Sequence, residues 1–488
     1  MDRHILNRKT LGKAVAVYVS LFLLYLLIGR IIPVANLLAT SAANTLLSSA
    51  FAGIGALLVL ADLLTDRYLF RSRNWWALLL FAVSMGISMV TNLRYGFGSN
   101  VKTMVWTCIQ FFLLYCLVCR FGSENSRVFL SRLLFALSLL WTLFVLFSIV
   151  QYALQTGYRI FDYNAGYSKR QGFVDNRLFG VFLDPNFAAI TSLCVIFIWV
   201  YFLEIRKAAW ERVLCVLMIA IHASYIILSG SRTILICLFG ATLVKTVLSV
   251  RNLCLKKQLT VGRSVGTVLI ALAAVSIIFF GLYTGGKKAL AQLPVLCEPL
   301  RSMNQSQILQ PEAEKDPTRP TRPGQQDDYD ADEVFHREDV KEDNILNNRA
   351  QIWQSYLESL HGSKWIFGLS PRNALAYIRD NYPDNYIAQT GYSAHSDYIA
   401  LISYTGLSGV ACALLFAVLA ALQIFRTFFG KQPMDPFYIM ALTIFAALIV
   451  FGIPFMEIYF SNSLTAALFW IMASVVMHFR SSDEPVQA

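Results

Sequence analysis

The stretch Ala394-His395-Ser396-Asp397-Tyr398-Ile399 marks the point where a long polar segment re-enters an apolar helix. The polar segment runs from about Gly285 to Thr390, and apolar residues dominate on both sides of it. A histidine at a boundary between membrane and water is unfavourable to place, yet it suits proton transfer because its ordinary pKa is near neutral. The stretch therefore predicts a membrane-embedded fold with a chemical site at its surface.

The composition is that of a polytopic membrane protein. The 488 residues are 56% hydrophobic and 15% charged, and the mean hydropathy is +0.54, which is outside the range of ordinary soluble domains. Apolar runs of roughly 17 to 25 residues can cross a bilayer. They occur at 14–34, 45–64, 75–93, 101–119, 131–154, 186–204, 210–229, 232–250, 264–284, 407–427, 436–455 and 460–478. The prediction is an all-α fold with about 12 transmembrane helices.

The distribution of lysine and arginine predicts the orientation. If the N-terminus is cytoplasmic, 21 of the 41 basic residues fall in cytoplasmic segments, 8 in short outer segments and the remaining 12 in one long outer loop. Short cytoplasmic segments retain positive charge, so both termini are predicted to be cytoplasmic. The net charge of +11 then belongs to helix ends beside anionic lipids, and no nucleic-acid partner is expected.

This topology divides the chain into three parts. Residues 1–284 would hold the first nine transmembrane helices and a smaller outer loop at 155–185. Residues 285–395 would form the large extracytoplasmic loop, and residues 396–488 the last three helices and a cytoplasmic tail. The aromatic residues of the loop at 155–185 fit an interfacial belt, and stacking against sugar rings is the alternative.

Within the large loop, order is expected only in part. Residues 312–343 carry twelve acidic and five basic residues together with three prolines, and Pro311 directly precedes them, which predicts a disordered tract. Helical spacing of apolar residues resumes at about 344–360 and again at about 372–380. These two segments are predicted to be amphipathic helices lying across the outer face.

The segment Ser229-Gly230-Ser231-Arg232 joins two predicted spans with almost no loop. Gly230 suits the position just after a helix, and Ser231 suits the N-cap of the next one. Arg232 would then lie in the first turn of a helix, where unpaired N–H groups and the helix dipole favour an anion such as a diphosphate. An arginine reaching from a helix end into water is the alternative.

Arg349 and Arg177 are further candidate cations. Arg349 precedes Trp353 by four residues on a predicted helix and could bind two phosphate oxygens with its planar guanidinium. A salt bridge with the acidic tract is the alternative for Arg349. Arg177 follows the loop aromatics and is a third candidate ligand for the diphosphate at the same depth, while Asp184 before Pro185 is predicted to be a helix N-cap.

His395 is the strongest candidate for a catalytic base. It precedes a helix whose apolar side chains follow at helical spacing, so proton exchange with water stays possible. The Asp-x-Asp patterns at 328–332 fall in the acidic tract, which could not hold two carboxylates on a cation. We therefore predict no metal site and no cofactor.

These features together resemble the O-antigen ligase and O-antigen polymerase family of bacterial envelope proteins. The residues that carry the resemblance, within about 170–425, are Gly230-Ser231-Arg232; Asn348-Arg349 with Ile352-Trp353 and Gly368; and His395 with Tyr398, Leu401, Gly406 and Gly409. One departure is Ser396, where the family often has asparagine after the histidine.

The resemblance implies a membrane glycosyltransferase of the bacterial cytoplasmic (inner) membrane, with an active site on the extracytoplasmic side. Its donor would be an undecaprenyl-diphosphate-linked glycan, and its acceptor a hydroxyl of a glycan or envelope molecule. Arg232 and Arg349 would bind the diphosphate, and His395 would deprotonate the acceptor. Polymerisation and ligation both remain open. A polysaccharide or lipid transporter is the alternative from another class, and it would carry ionisable residues deep inside several spans.

Overall fold

The computed structural model describes residues 8–39, 42–120, 123–162, 167–300, 335 and 348–479. Helices before the polar segment are α1 (Arg8–Ile28), α2 (Ile32–Ala39), α3 (Ala42–Leu64), α4 (Trp75–Thr91), α5 (Gly98–Cys108, continued as a π-helix over Ile109–Leu117), α6 (Ser123–Ala153), α7 (Pro185–Ile205), α8 (Ala209–Leu228), α9 (Arg232–Lys256) and α10 (Val261–Leu296). Later helices are α11 (Arg349–Glu358), α12 (Ser363–Phe367), α13 (Ala374–Asn381), α14 (Tyr386–Thr390), α15 (Asp397–Phe429), α16 (Pro436–Phe451) and α17 (Leu464–His478). Apart from residue 335, the acidic tract 312–343 and residues 344–347 lie outside the described residues.

The chain is a polytopic, predominantly helical membrane protein. Within the described residues, nine helices are long and apolar enough to cross a membrane. Three shorter apolar helices, α4, α16 and α17, have 17, 16 and 15 residues. These twelve helices match the twelve apolar runs of the sequence, which confirms the helical membrane fold. That α4, α16 and α17 also cross the membrane completely, which would give twelve crossings, remains a prediction.

A small antiparallel sheet occupies the segment that the sequence analysis treated as a loop. Its strands are β1 (Gly157–Asp162), β2 (Tyr167–Val174) and β3 (Arg177–Gly180), in the order β1-β2-β3. Asp175 and Asn176 form the two-residue turn between β2 and β3, each with φ of +54°. Two central residues with positive φ define the type I′ hairpin turn, and short polar residues tolerate this conformation. The sheet fixes the position of Arg177 at the start of β3.

The core lies around α7, α16 and α17. Most residues of these three helices are buried, and α17 is buried almost throughout, so the three helices are largely enclosed by other helices. In contrast, α10 exposes apolar side chains along most of its length. A helix that is apolar on its exposed side faces lipid in a membrane protein. The bundle therefore has a protein-enclosed centre and a lipid-facing margin.

Helix α15 is broken at Gly406, where φ is +64° and ψ is −168°. The segment after α12 runs beside the break. Leu369 N–H donates to the Ser403 carbonyl at 2.8 Å, and Ser370 N–H donates to the Tyr404 carbonyl at 3.0 Å. The break frees helix carbonyls, and these two bonds satisfy them inside the protein, as a membrane-embedded backbone requires.

Gly368 and Gly406 allow this close approach of two backbones. A Cβ atom at Gly368 would overlap the Tyr404–Thr405 peptide. A Cβ atom at Gly406 would overlap the Ile366 carbonyl and lie 2.7 Å from the Gly368 nitrogen. Both glycines also have φ above +60°, where other residues are strained. Gly368 and Gly406, two of the glycines that carry the family resemblance, therefore allow the segment after α12 to pack directly against α15.

The two ends of the bundle carry different parts of the chain. Residues 348–396 lie at the end where α7, α9 and α15 begin. At the opposite end, His478 accepts a hydrogen bond from the Arg73 N–H at 3.1 Å and contacts the Ser72 hydroxyl. Alternation of the helices places the start of α1 at that opposite end as well. The start of α1 and the end of α17 therefore lie at the same end of the bundle, away from residues 348–396, and the cytoplasmic location of the termini remains a prediction.

We predict that Gly406→Ala destabilises the protein. The added methyl group must displace the Ile366–Gly368 backbone and strain φ, so the unfolding midpoint should fall by about 5 °C or more. Thermal unfolding in detergent measures this. Gly240→Ala in α9 is the matched control, since a Cβ atom there meets nothing within 4 Å. Equal midpoints for the two variants would contradict the proposed backbone contact.

Candidate functional site

His395 lies at the entrance to α15. Ser396 is the N-cap of this helix, and its hydroxyl accepts a hydrogen bond from the Ile399 N–H at 3.4 Å. His395 has φ of +46°, a left-handed conformation that is uncommon outside glycine and often marks functional positions. Its side chain is half-buried. Ser396, the departure from the expected asparagine, therefore has a defined role in capping the helix.

Asp397 attaches the start of α15 to the loop between α16 and α17. Its side chain is fully buried and accepts hydrogen bonds from the backbone N–H groups of residues 457–459, with closest distances of 3.0 to 3.4 Å. Its own N–H contacts the carbonyl oxygens of Gly452 and Phe455, at 2.9 and 3.0 Å. Hydrogen bonds from several backbone N–H groups stabilise a buried carboxylate. The loop at 452–459 is therefore held directly beside His395.

Arg349 lies above this loop. It is the first residue of α11, and its guanidinium carbon is 4.9 Å from the centre of the Phe455 ring. This distance is typical of a cation–π contact. The sequence analysis paired Arg349 with Trp353 on the same helix face, whereas the structure places the guanidinium over an aromatic ring from a distant segment. Arg349 is also close enough to His395 to act on it electrostatically.

The surroundings of His395 lower the pKa of its imidazole. Burial is the main cause, and the positive charge of Arg349 acts in the same direction. The carboxylate of Asp184 opposes both effects by raising the pKa. The imidazole is therefore neutral at neutral pH, which is the form that accepts a proton. Asp184 and Arg349, far apart in sequence, thus act on the same imidazole.

Arg177 connects the sheet, the start of α7 and the hairpin between α8 and α9. Its Nε donates to the Ser229 carbonyl at 2.9 Å, and a terminal nitrogen donates to Asn186 Oδ1 at 3.1 Å. Asp184 is the predicted N-cap of α7, and its carboxylate accepts the Asn186 N–H at 2.7 Å. Arg177 is only 6% exposed, so its contacts are with the protein. It positions neighbouring elements of the site.

Arg232 is the first residue of α9 and is exposed. Gly230 has φ of +64° and Ser231 occupies the N-cap position, as the sequence predicts, although the Ser231 side chain makes no capping hydrogen bond. The Arg232 side chain forms no hydrogen bond or ion pair with any residue that the structure describes. Arg177 binds the Ser229 carbonyl three residues earlier. The hairpin thus presents an unpaired guanidinium and a helix N-terminus together.

Arg30 is a neighbour of the site that the sequence analysis did not single out. It forms an ion pair with Glu457 at 3.0 Å, and its guanidinium carbon lies 5.0 Å from the centre of the Phe187 ring. The Phe187 and Phe455 ring centres are 5.8 Å apart. Two arginines, Arg30 and Arg349, therefore lie against one aromatic pair. No local sequence pattern could predict these contacts, because the residues come from four distant segments of the chain.

Part of the chain matches a known protein family. A family model described as O-antigen ligase matches residues 213–414. Residues 213–414 belong to the O-antigen ligase family. The matched region contains Arg232, Arg349 and His395, and it confirms the resemblance seen in the sequence. The match indicates an enzyme of the O-antigen ligase type, which uses a lipid-linked glycan. None of the curated proteins matches the chain.

The electrostatic neighbours of His395 predict opposite pH effects in this protein. Asp184→Asn keeps a good N-cap residue but removes the charge that raises the pKa of His395, so the acid limb of kcat/KM should move to lower pH. Arg349→Gln removes a charge that lowers this pKa, so the acid limb should move to higher pH. Glycan transfer measured between pH 4 and pH 9 tests both. An acid limb unchanged in both variants would remove His395 as the titrating base.

Proposed function

We propose that the chain transfers a glycan from an undecaprenyl-diphosphate carrier to a hydroxyl of an acceptor glycan on the outer side of the cytoplasmic membrane. The reaction would serve surface-polysaccharide polymerisation or O-antigen-type ligation. The observation that carries this proposal is the placement of His395 beside Arg349, with its imidazole kept neutral by burial and by that guanidinium. A base and a cation next to each other suit attack by a hydroxyl on a sugar with an anionic leaving group.

Arg232 and Arg349 would bind the donor diphosphate. Arg232 combines a guanidinium with the positive end of the α9 dipole. Arg349 lies on an aromatic ring, which orients its planar guanidinium, a group that binds phosphate oxygens well. Arg177 would contribute indirectly by holding the hairpin that carries Arg232. This assignment changes the role first predicted for Arg177, from direct diphosphate ligand to positioning residue.

The transfer step would use His395 as a general base. The acceptor hydroxyl attacks the anomeric carbon of the donor sugar while the imidazole accepts its proton. The bond between that carbon and the diphosphate oxygen breaks, and both electrons leave with the lipid diphosphate. The two guanidinium groups stabilise the charge that develops on the phosphate oxygens, so this scheme needs no metal ion. The imidazolium then returns its proton to water.

The polarity of the chain supports an outward-facing site. The candidate residues lie at the bundle end opposite the start of α1 and the end of α17, and the sequence places the excess of lysine and arginine in the segments predicted for that opposite end. With the positively charged end in the cytoplasm, the site faces the extracytoplasmic side. A lipid diphosphate at that interface keeps its anion near water and its hydrocarbon chain in the membrane.

The substitution His395→Gln should abolish transfer without preventing donor binding, because glutamine cannot accept the proton. Purified protein in liposomes, with lipid-diphosphate glycan and acceptor, gives the rate directly. We expect a loss of at least about a hundredfold in kcat. His361→Gln is the matched control, because His361 also lies in the outer segment and contacts the Tyr382 hydroxyl. Wild-type turnover by the His395 variant would eliminate the assigned base.

For Arg232→Lys, we expect at least about a tenfold loss in kcat/KM for the donor, because an ammonium group cannot bind two phosphate oxygens with a fixed fork. Arg94→Lys is the control, since Arg94 is an exposed cation on the same face that pairs with Asp380. Equal kinetics in both variants would argue against diphosphate binding by Arg232. Product length in the same assay separates the two reactions, since polymerisation gives a ladder and ligation a single product.

A further inference from the structure

A polar cavity lies at the same end of the bundle as His395 and Arg349. Its volume is about 410 Å³, which is in the range of small-ligand sites. It lies between α3, the start of α5, the segment after α12 and the loop between α16 and α17. Lys102 and Arg372 line it. Neither residue contacts His395 or Arg349 in the described structure, so the cavity is separate from the proposed donor site.

The cavity contains two cations without acidic partners. Among the described residues, neither Lys102 nor Arg372 forms an ion pair with a carboxylate. Arg372 is held by its Nε, which donates to the Thr103 hydroxyl at 3.1 Å, and by its backbone N–H, which donates to Asn100 Oδ1 at 2.9 Å. Its two terminal nitrogens make no hydrogen bond within the described part of the chain. A fixed guanidinium beside an ammonium group suits a phosphate group.

The remaining lining suits a sugar. Trp106 and Phe460 provide aromatic surface, and Trp106 is largely buried. Asn462 also lines the cavity, and its Oδ1 is a buried acceptor without a hydrogen-bond partner in the described structure. A buried acceptor of this kind is stabilised when a donor such as a sugar hydroxyl reaches it. Aromatic surface, amide and cations together favour a phosphorylated sugar over a simple anion.

The cavity is also next to the membrane and to the catalytic segment. Ser48 of α3 lines it, and the preceding residues Leu46 and Leu47 are exposed apolar side chains. Phe460 contacts Tyr404 with ring centres 5.3 Å apart, and the Tyr404 carbonyl accepts the Ser370 N–H. A ligand in the cavity can therefore be anchored in lipid and still lie beside the segment that leads to His395.

We propose that this cavity binds the phosphate-bearing sugar at the lipid-anchored end of the acceptor. The proposal rests on the proposed transferase function, in which the donor diphosphate occupies Arg232 and Arg349. A second anionic site on the same face then serves the other substrate. Either a second polyprenyl-diphosphate glycan or a phosphorylated glycolipid presents this chemistry. The cavity holds the anchor of the acceptor while its distal sugar reaches His395.

Acceptor kinetics of the double variant Lys102→Gln with Arg372→Gln test the proposal. The KM for a phosphorylated acceptor should rise at least about tenfold, with the donor KM unchanged. An acceptor lacking the phosphate should give equal KM values for variant and wild type. The control is the double variant Arg94→Gln with Lys288→Gln, which also removes two positive charges, but from exposed positions outside the cavity. Lys102→Gln alone supplies the test if the double variant is unstable.

The acceptor probes are a polyprenyl-diphosphate glycan and a glycolipid phosphate, assayed separately in phosphatidylcholine liposomes. The acceptor whose KM rises identifies the source of the phosphate. If the wild type transfers glycan and neither KM rises in the variants, the cavity is not an acceptor site, while the transferase function stands. A rise in donor KM alone assigns the cavity to the donor and overturns the proposal. Absence of transfer by the wild type would instead refute the proposed function.

Discussion

The outer end of this protein depends on the hydrogen bonds between the Asp397 carboxylate and the backbone N–H groups of residues 457–459. A buried carboxylate is strongly unfavourable without such partners, so this contact ties the start of α15 to the loop between α16 and α17. That loop carries Phe455, whose ring contacts Arg349, and it also carries Phe460, which lines the polar cavity. One carboxylate therefore connects the helix that follows His395 with both proposed substrate sites.

The glycine contacts give the same region its rigidity. Gly368 and Gly406 bring two backbones together where α15 is broken, and hydrogen bonds to the carbonyls of Ser403 and Tyr404 satisfy the break. A broken helix at the membrane boundary lets a polar site form at the depth of lipid headgroups without leaving backbone groups unpaired. The arrangement suits a reaction whose donor is anchored in lipid and whose chemistry takes place in water. It also explains why the chain returns to the membrane directly after His395.

Local signals predicted the helical fold and several helix ends correctly. Apolar runs located the helices, and the cap residues Asp184 and Gly230 have the predicted positions, because each signal acts within a few residues. The sheet was missed, although the Asp175-Asn176 turn could have indicated it. The contacts of Arg30 and the role of Asp397 could not be predicted, because they join segments hundreds of residues apart. The roles of Arg232, Arg349 and His395 came from the family resemblance and remain proposals at the level of individual residues.

The central claim is that groups from distant segments bind one lipid diphosphate at the outer end of the bundle. Electron cryo-microscopy of the purified protein in lipid nanodiscs with undecaprenyl diphosphate tests it most directly. The account predicts density for the diphosphate between Arg232 and Arg349, within reach of an acceptor hydroxyl that contacts His395. Diphosphate density at the end of the bundle where α1 begins and α17 ends, or contacting neither arginine, would contradict it.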